Sequence, residues 1–266
     1  MAGIGGTLGG MNRRLALVRR PGDRLAEGLV THIDRSPVDL DLAMRQWEGY
    51  VEAFRQEGWT VVEVPPADDH PDSVFVEDPV FVYGDLAVLT RSGAPERRGE
   101  TDGLDDVLTA HGYRVARITE PATLDGGDVL KFDGTVWVGQ GGRTNIEGLE
   151  QLRELLAPFD VDVVGVPLES VLHLKSAVTA LPDGTIIGYP PLVDAPITWG
   201  EEFLPVPEES GSHVVLLGED SVLMAASAPE TAEVFRERGL RVVTVDISEF
   251  EKLEGCVTCL SVRLRG

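Results

Sequence analysis

A thiol, an imidazole and clustered carboxylates in one chain suit covalent attack on a cationic carbon. The thiol is Cys259, in Gly255-Cys256-Val257-Thr258-Cys259-Leu260-Ser261, and the imidazole is His173, in His173-Leu174-Lys175-Ser176. Acids gather at Glu77-Asp78 and in Asp125-Gly126-Gly127-Asp128. Thiolate is the reactive form of cysteine, and histidine can protonate a leaving amine and then activate water. Two acids around paired glycines let the backbone approach a ligand closely, although Asp-Gly also serves as a plain turn. Arg97, Arg98 and Arg143 have the fork geometry to clamp a carboxylate. Cys256 reads as a small core residue. On one extended strand its Cα would lie roughly 10 Å from that of Cys259, too far for a disulfide. A zinc site built from Cys259, His173 and an acid is the lesser reading.

The elements that must position these residues recur along the chain. Amphipathic helices are expected at 40–57, 103–111, 145–156 and 229–238, with Asp39, Asp102, Thr144 and Ala228 or Ser227 as N-caps. Each leads to a short apolar strand, at 60–64, 114–118, 161–166 and 241–245, and Gly58, Gly112 and Gly239 are helix stops. Hairpins turn at Gly84-Asp85, Asp133-Gly134, Asp183-Gly184 and Glu219-Asp220. The stretch 189–207 is proline-rich, with a strand only at 203–206. The segment Arg14–Arg19 can pair with the strand that follows Cys259 and close a ring of about five modules, which removes exposed sheet edges. The loops entering each hairpin then converge on a central channel, bringing together Asp72 to Asp78, Asp125 to Asp128, His173 and Cys259.

A chain of 266 residues can bury a full core. Its 23 basic and 45 acidic residues leave a formal charge of −22, which argues against a nucleic-acid partner and favours cationic ligands. No window approaches the ~18 apolar residues of a membrane span, so no membrane partner is expected. Residues 1–10 read as a flexible glycine-rich leader without the features of a signal peptide, and 11–266 as a single catalytic domain. Two cysteines suit free thiols and a cytoplasmic location.

As an ordered set, Phe75-Val76-Glu77-Asp78, Arg97-Arg98-Gly99-Glu100, Thr123-Leu124-Asp125-Gly126-Gly127-Asp128, Arg143-Thr144-Asn145, Leu172-His173-Leu174-Lys175 and Thr258-Cys259-Leu260-Ser261 resemble the dimethylarginine dimethylaminohydrolases. These belong to the guanidino-group-modifying superfamily, and the resemblance spans almost the whole chain. It implies an α/β fold, the five-bladed α/β propeller called the pentein fold, with pseudo-fivefold ββαβ modules around a central channel. It makes Cys259 the nucleophile, His173 the general acid and base, and Asp125, where some relatives carry glutamate, the residue that orients His173. Glu77 and Asp78 would bind the guanidinium, Asp72 the α-ammonium, and Arg97 and Arg143 the α-carboxylate. Leu29 would be the lid residue, and the Leu253 carbonyl would face the amino-acid end.

The implied reaction is hydrolysis of asymmetric dimethylarginine and monomethylarginine to L-citrulline plus dimethylamine or methylamine, through a thiouronium on cysteine. It needs no cofactor, and zinc would inhibit by capturing the Cys259 thiolate. The expected partner is a small cationic amino acid, and the expected state a monomer or homodimer. The same machinery would serve an arginine deiminase or another guanidine hydrolase. A catalytically silent arginine-binding module is the non-enzymatic alternative, which the Cys259–His173–acid set disfavours.

Overall fold

The computed structural model describes residues 14–132, 134–194, 199 and 203–265, so the leader expected at 1–10 and Asp133 of one hairpin turn lie outside the described residues. The chain enters on β1 (Arg14–Val18), crosses over through α1 (Leu40–Gln56) and returns parallel to β1 as β2 (Thr60–Glu63). A hairpin of β3 (Val80–Tyr83) and β4 (Leu86–Leu89) follows, then α2 (Leu104–Ala110) and β5 (Arg114–Arg117). The pattern repeats as β6 (Val129–Phe132), β7 (Thr135–Gln140), α3 (Ile146–Leu156) and β8 (Asp162–Pro167). After the short α4 (Leu174–Ala177) come β9 (Val178–Ala180), β10 (Ile186–Gly188) and β11 (Phe203–Pro205). Next are β12 (Val215–Leu216), β13 (Ser221–Ala225), α5 (Pro229–Glu237) and β14 (Arg241–Val245). The short α6 (Ser248–Glu251) leads to β15 (Val262–Arg265).

Among the described residues these strands make five three-stranded sheets, each with one antiparallel and one parallel pairing; in four of them the antiparallel pair is a hairpin. The expected closure is present. β15 pairs antiparallel with β1, Leu264 opposite Leu15 and Val262 opposite Leu17, while β2 takes the other side of β1. Five apolar clusters carry the sheets around a ring, each shared by neighbouring sheets. Leu17 and Val262 pack with Val82 and Leu89; Phe81 and Val88 with Val129 and Val138; Leu130 with Val178 and Ile186; Ile187 with Val222 and Met224. Leu223 and Val245 meet Ala16 and Val18 in the last cluster, and the five-bladed α/β propeller is complete.

α1 shows how local chemistry sets an element. The Asp39 carboxylate accepts from the Leu42 amide at 2.9 Å, and Gly58, at φ +76°, ends the helix in a conformation other residues resist. Trp47, Tyr50, Val51 and Phe54 recur on one buried stripe, and covering Phe54 alone is worth roughly 1.5–3 kcal/mol. Two expected caps move by one residue. The chain reaches Asp102 at the end of a 3₁₀ turn, so Gly103 precedes α2. The Thr144 hydroxyl is spent on Asp128 at 2.6 Å, and the Asn145 side chain caps α3 by accepting from Gly148 at 2.9 Å.

Candidate active site

The loops entering the hairpins meet around a cavity of about 310 Å³, lined by Cys259, His173, Asp78, Asp72, Arg97, Arg143, Leu29 and Leu253 among others. Cys259 sits on the turn before β15, and its carbonyl accepts from the Glu77 amide at 3.1 Å, which ties the thiol to the loop of the acids. His173 lies where β8 gives way to α4. Its Nε2 donates to Asp125 Oδ2 at 3.1 Å, and its Nδ1 is 3.8 Å from Asp78 Oδ1. Asp125 is fully buried behind His173 and does not line the cavity.

The electrostatics follow from this cage. Burial disfavours the His173 cation, but Asp78, Asp128 and the Asp125 hydrogen bond outweigh it and raise the imidazole to about 9. Burial likewise disfavours the Asp78 carboxylate, yet His173 and Arg97 bring it down to about 2. Burial lifts Asp128 to about 6, against His173 and the Thr144 hydroxyl. Asp72 is raised by burial, and Arg97 and the Leu29 amide, which donates to both its oxygens at 3.1 Å, oppose that rise. Cys259 is held well above the ordinary thiol value by its hydrogen bond with Cys256, by burial, and by anionic Asp78 and Glu77.

The two arginines differ. All three Arg97 nitrogens are engaged, Nε and Nη2 with Glu100 at 2.8 Å each and Nη1 with Asp78 at 2.6 Å. A ligand carboxylate reaches Arg97 only by exchanging one of these partners. Arg143 Nη1 is buried with no hydrogen-bond partner among the described residues and stands 3.6 Å from Asp125 Oδ2. It has a donor to spare.

Glu77, expected beside Asp78 at the guanidinium, is not brought to this cavity. Its Oε1 accepts from Lys175 at 2.8 Å and Arg263 at 2.9 Å, and it faces a second cavity of about 860 Å³ that Lys131 and Arg265 also line. Its other oxygen, Oε2, is buried with no hydrogen-bond partner among the described residues, and its charge still reaches Cys259. The paired glycines also act differently from expectation. A Cβ on Gly126 would lie 2.1 Å from the Glu77 carbonyl, and one on Gly127 within 2.7 Å of both Asp78 and His173. The close approach they permit is to the site's own groups.

Cys256 departs furthest from the sequence reading. Residues 256–259 are not extended: the Cys259 amide donates to the Cys256 carbonyl at 3.1 Å, and the two sulfurs lie 3.2 Å apart.

A family model described as eukaryotic N,N dimethylarginine dimethylhydrolase matches residues 34–178. The N(G),N(G)-dimethylarginine dimethylaminohydrolase of Streptomyces coelicolor is 60% identical over 255 residues, covering 96% of this chain and 98% of that protein. The chain belongs to the dimethylarginine dimethylaminohydrolase family. It is accordingly a hydrolase acting on carbon–nitrogen bonds. Among solved structures, a cysteine-to-serine mutant of the Pseudomonas aeruginosa family member complexed with citrulline superposes with a TM-score of 0.88 at 32% identity, covering 96% of this chain and all of that one. A histidine-to-glycine family member carrying an adduct with S-methyl-L-thiocitrulline gives 0.89 at 31%, with the same coverage.

Within this family fold, two supporting residues escape a sequence reading. Arg19 is fully buried at the end of β1 and donates to the carbonyls of Pro65, Ser73 and Glu100, joining the loops that carry Asp72 and Arg97. Its only sequence signal is a charge directly after an apolar strand. Glu254 takes a positive φ of 60°, and its carboxylate accepts from the Thr31 and His32 amides, which fastens the loop carrying Leu29.

No helix among the described residues is long and apolar enough to cross a membrane.

Proposed function

We propose that this protein hydrolyses asymmetric dimethylarginine and monomethylarginine to L-citrulline, releasing dimethylamine or methylamine, with Cys259 as nucleophile. The observation that carries this reading is one small cavity lined at once by a thiol, an imidazolium, an anionic carboxylate and a guanidinium with a free donor. Asp78, kept anionic by His173 and Arg97, faces the substrate guanidinium and keeps it charged. Asp72 takes the α-ammonium, and the spare donor of Arg143 the α-carboxylate; Arg97 contributes chiefly through Asp78. Leu29 covers the cavity, and Leu253 borders its amino-acid end.

In the free protein the acids beside Cys259 favour the thiol. A bound guanidinium supplies the compensating charge, so the thiol gives its proton to solvent and the thiolate forms where its target sits. Sulfur adds to the central carbon, and the C–N bond to the methylated nitrogen breaks. The departing amine leaves with the proton of the His173 imidazolium, giving a thiouronium. Neutral His173 then takes a proton from water, hydroxide adds to the same carbon, and the C–S bond breaks to yield citrulline, whose hydroxyl proton passes to the departing thiolate and restores the thiol. Asp125 holds the ring in place through both steps. The scheme calls on no cofactor; zinc enters only as an inhibitor that captures the thiolate. Free thiols suit the cytoplasm as the place of this reaction.

The test is incubation with both methylated arginines and with arginine, measuring citrulline, dimethylamine, methylamine and ammonia. Citrulline and the methylated amines are expected in equal amounts, with none from Cys259→Ser. Ammonia from arginine as the dominant product would instead make the protein a deiminase.

A further inference from the structure

Cys256 has no task in the mechanism, yet its sulfur touches that of Cys259 at 3.2 Å. The hydrogen-bonded turn at 256–259 holds the two α-carbons within about 7 Å, inside the range that a disulfide spans. The backbone therefore already has the geometry to bridge them. The two thiols also open in different directions. Cys259 faces the substrate cavity, whereas Cys256 lines an adjoining, larger pocket with His213, Ser176 and Glu251; Leu172, Glu254 and Gly255 border both. His213, whose Nε2 contacts the Ser176 carbonyl at 2.9 Å, favours negative charge on Cys256, and the Cys259 hydrogen bond favours it more. Asp78 and Glu77 oppose charge on Cys259. The hydrogen bond between the sulfurs thus favours negative charge on Cys256 over Cys259.

We infer that Cys256 and Cys259 form a redox modification site, in which a hydroperoxide converts the two thiols to an intramolecular disulfide that caps the nucleophile reversibly. The thiolate attacks the terminal peroxide oxygen, the O–O bond breaks, and a sulfenic acid forms with release of water or an alcohol. The neighbouring sulfur attacks that sulfenic sulfur and expels a second water. In sum, two thiols are oxidised and one hydroperoxide is reduced, and a dithiol reductant reverses the change. The immediate neighbour also intercepts the sulfenic acid before further oxidation.

That the disulfide silences turnover rests on Cys259 being the nucleophile; that it forms does not. The experiment treats the full chain with equimolar hydrogen peroxide and follows intact mass together with citrulline release. Wild-type protein is expected to lose two hydrogens, to lose activity at least tenfold, and to regain both mass and activity with dithiothreitol. Cys256→Ser is expected to gain oxygens at Cys259 instead, progressing to a form that dithiothreitol does not restore; Cys256→Ala serves if serine disturbs the fold. Wild-type protein that gains oxygens without losing two hydrogens overturns the inference, as does the same mass change in wild type and variant. A disulfide that forms while activity persists would leave the redox pair standing and remove Cys259 as the nucleophile.

Discussion

His173 is asked to be an acid first and a base later, and its three acidic neighbours set where that exchange sits. Its folded value of about 9 lies above the ordinary 6.5, so its contribution to stability is complete below about pH 6.5 and fades as pH rises through about 9. Asp125→Asn removes the charge that Nε2 meets at 3.1 Å. We expect the His173 titration midpoint, followed by ¹⁵N NMR of the imidazole, to fall toward the ordinary value, and the stability lost to be greater near about pH 6 than near about pH 10. An unmoved midpoint, or equal loss at both pH values, would show that Asp125 does not govern the ring. At this scale the sequence told residue types better than directions. Glu77 and Asp78 are neighbours in an irregular loop, where no periodicity fixes which side chain points where, and they face different cavities.

Among the elements, those with local punctuation were legible: the glycine stops after α1, α2 and α5 all take positive φ, and the hairpin at Gly84-Asp85 pairs as expected. The turn at 256–259 was not, because Val257 and Thr258 are both strand formers, and only their surroundings bend them. α1 supplies part of those surroundings. Its buried Tyr50 hydroxyl donates to the Val257 carbonyl at 2.7 Å and meets the Ser261 hydroxyl at 2.8 Å, on either side of Cys259. Tyr50→Phe keeps the ring in its core and strands the Val257 carbonyl, while the Ser261 hydroxyl keeps only the Arg263 guanidinium at 3.2 Å. The expected cost is about 1–3 kcal/mol in denaturant unfolding, accompanied by a lower kcat as the nucleophile loses its support. Full stability combined with full kcat would mean that α1 does not hold the turn.

The whole molecule joins a closed ring to a strongly acidic charge. Closure came from pairing β1 with β15, and it is what lets residues as distant as Asp72 and Cys259 share one cavity. The formal charge of −22 is not uniform, since Lys131, Lys175, Arg263 and Arg265 gather on the far side of Glu77, away from the substrate cavity. A methylated arginine carries two cationic groups and one carboxylate, a net single positive charge, so the overall field draws it in. Salt shortens the reach of that field, from roughly 10 Å at 0.1 M to roughly 3 Å at 1 M. Inside the small, largely buried cavity, screening has less effect. kcat/KM should therefore fall several-fold as sodium chloride rises from about 0.05 to about 0.5 M, while kcat holds steady. A kcat/KM that stays level or rises with salt would mean that capture depends on the cavity's own charges, and that the acidic surface plays no part in bringing substrate to Cys259.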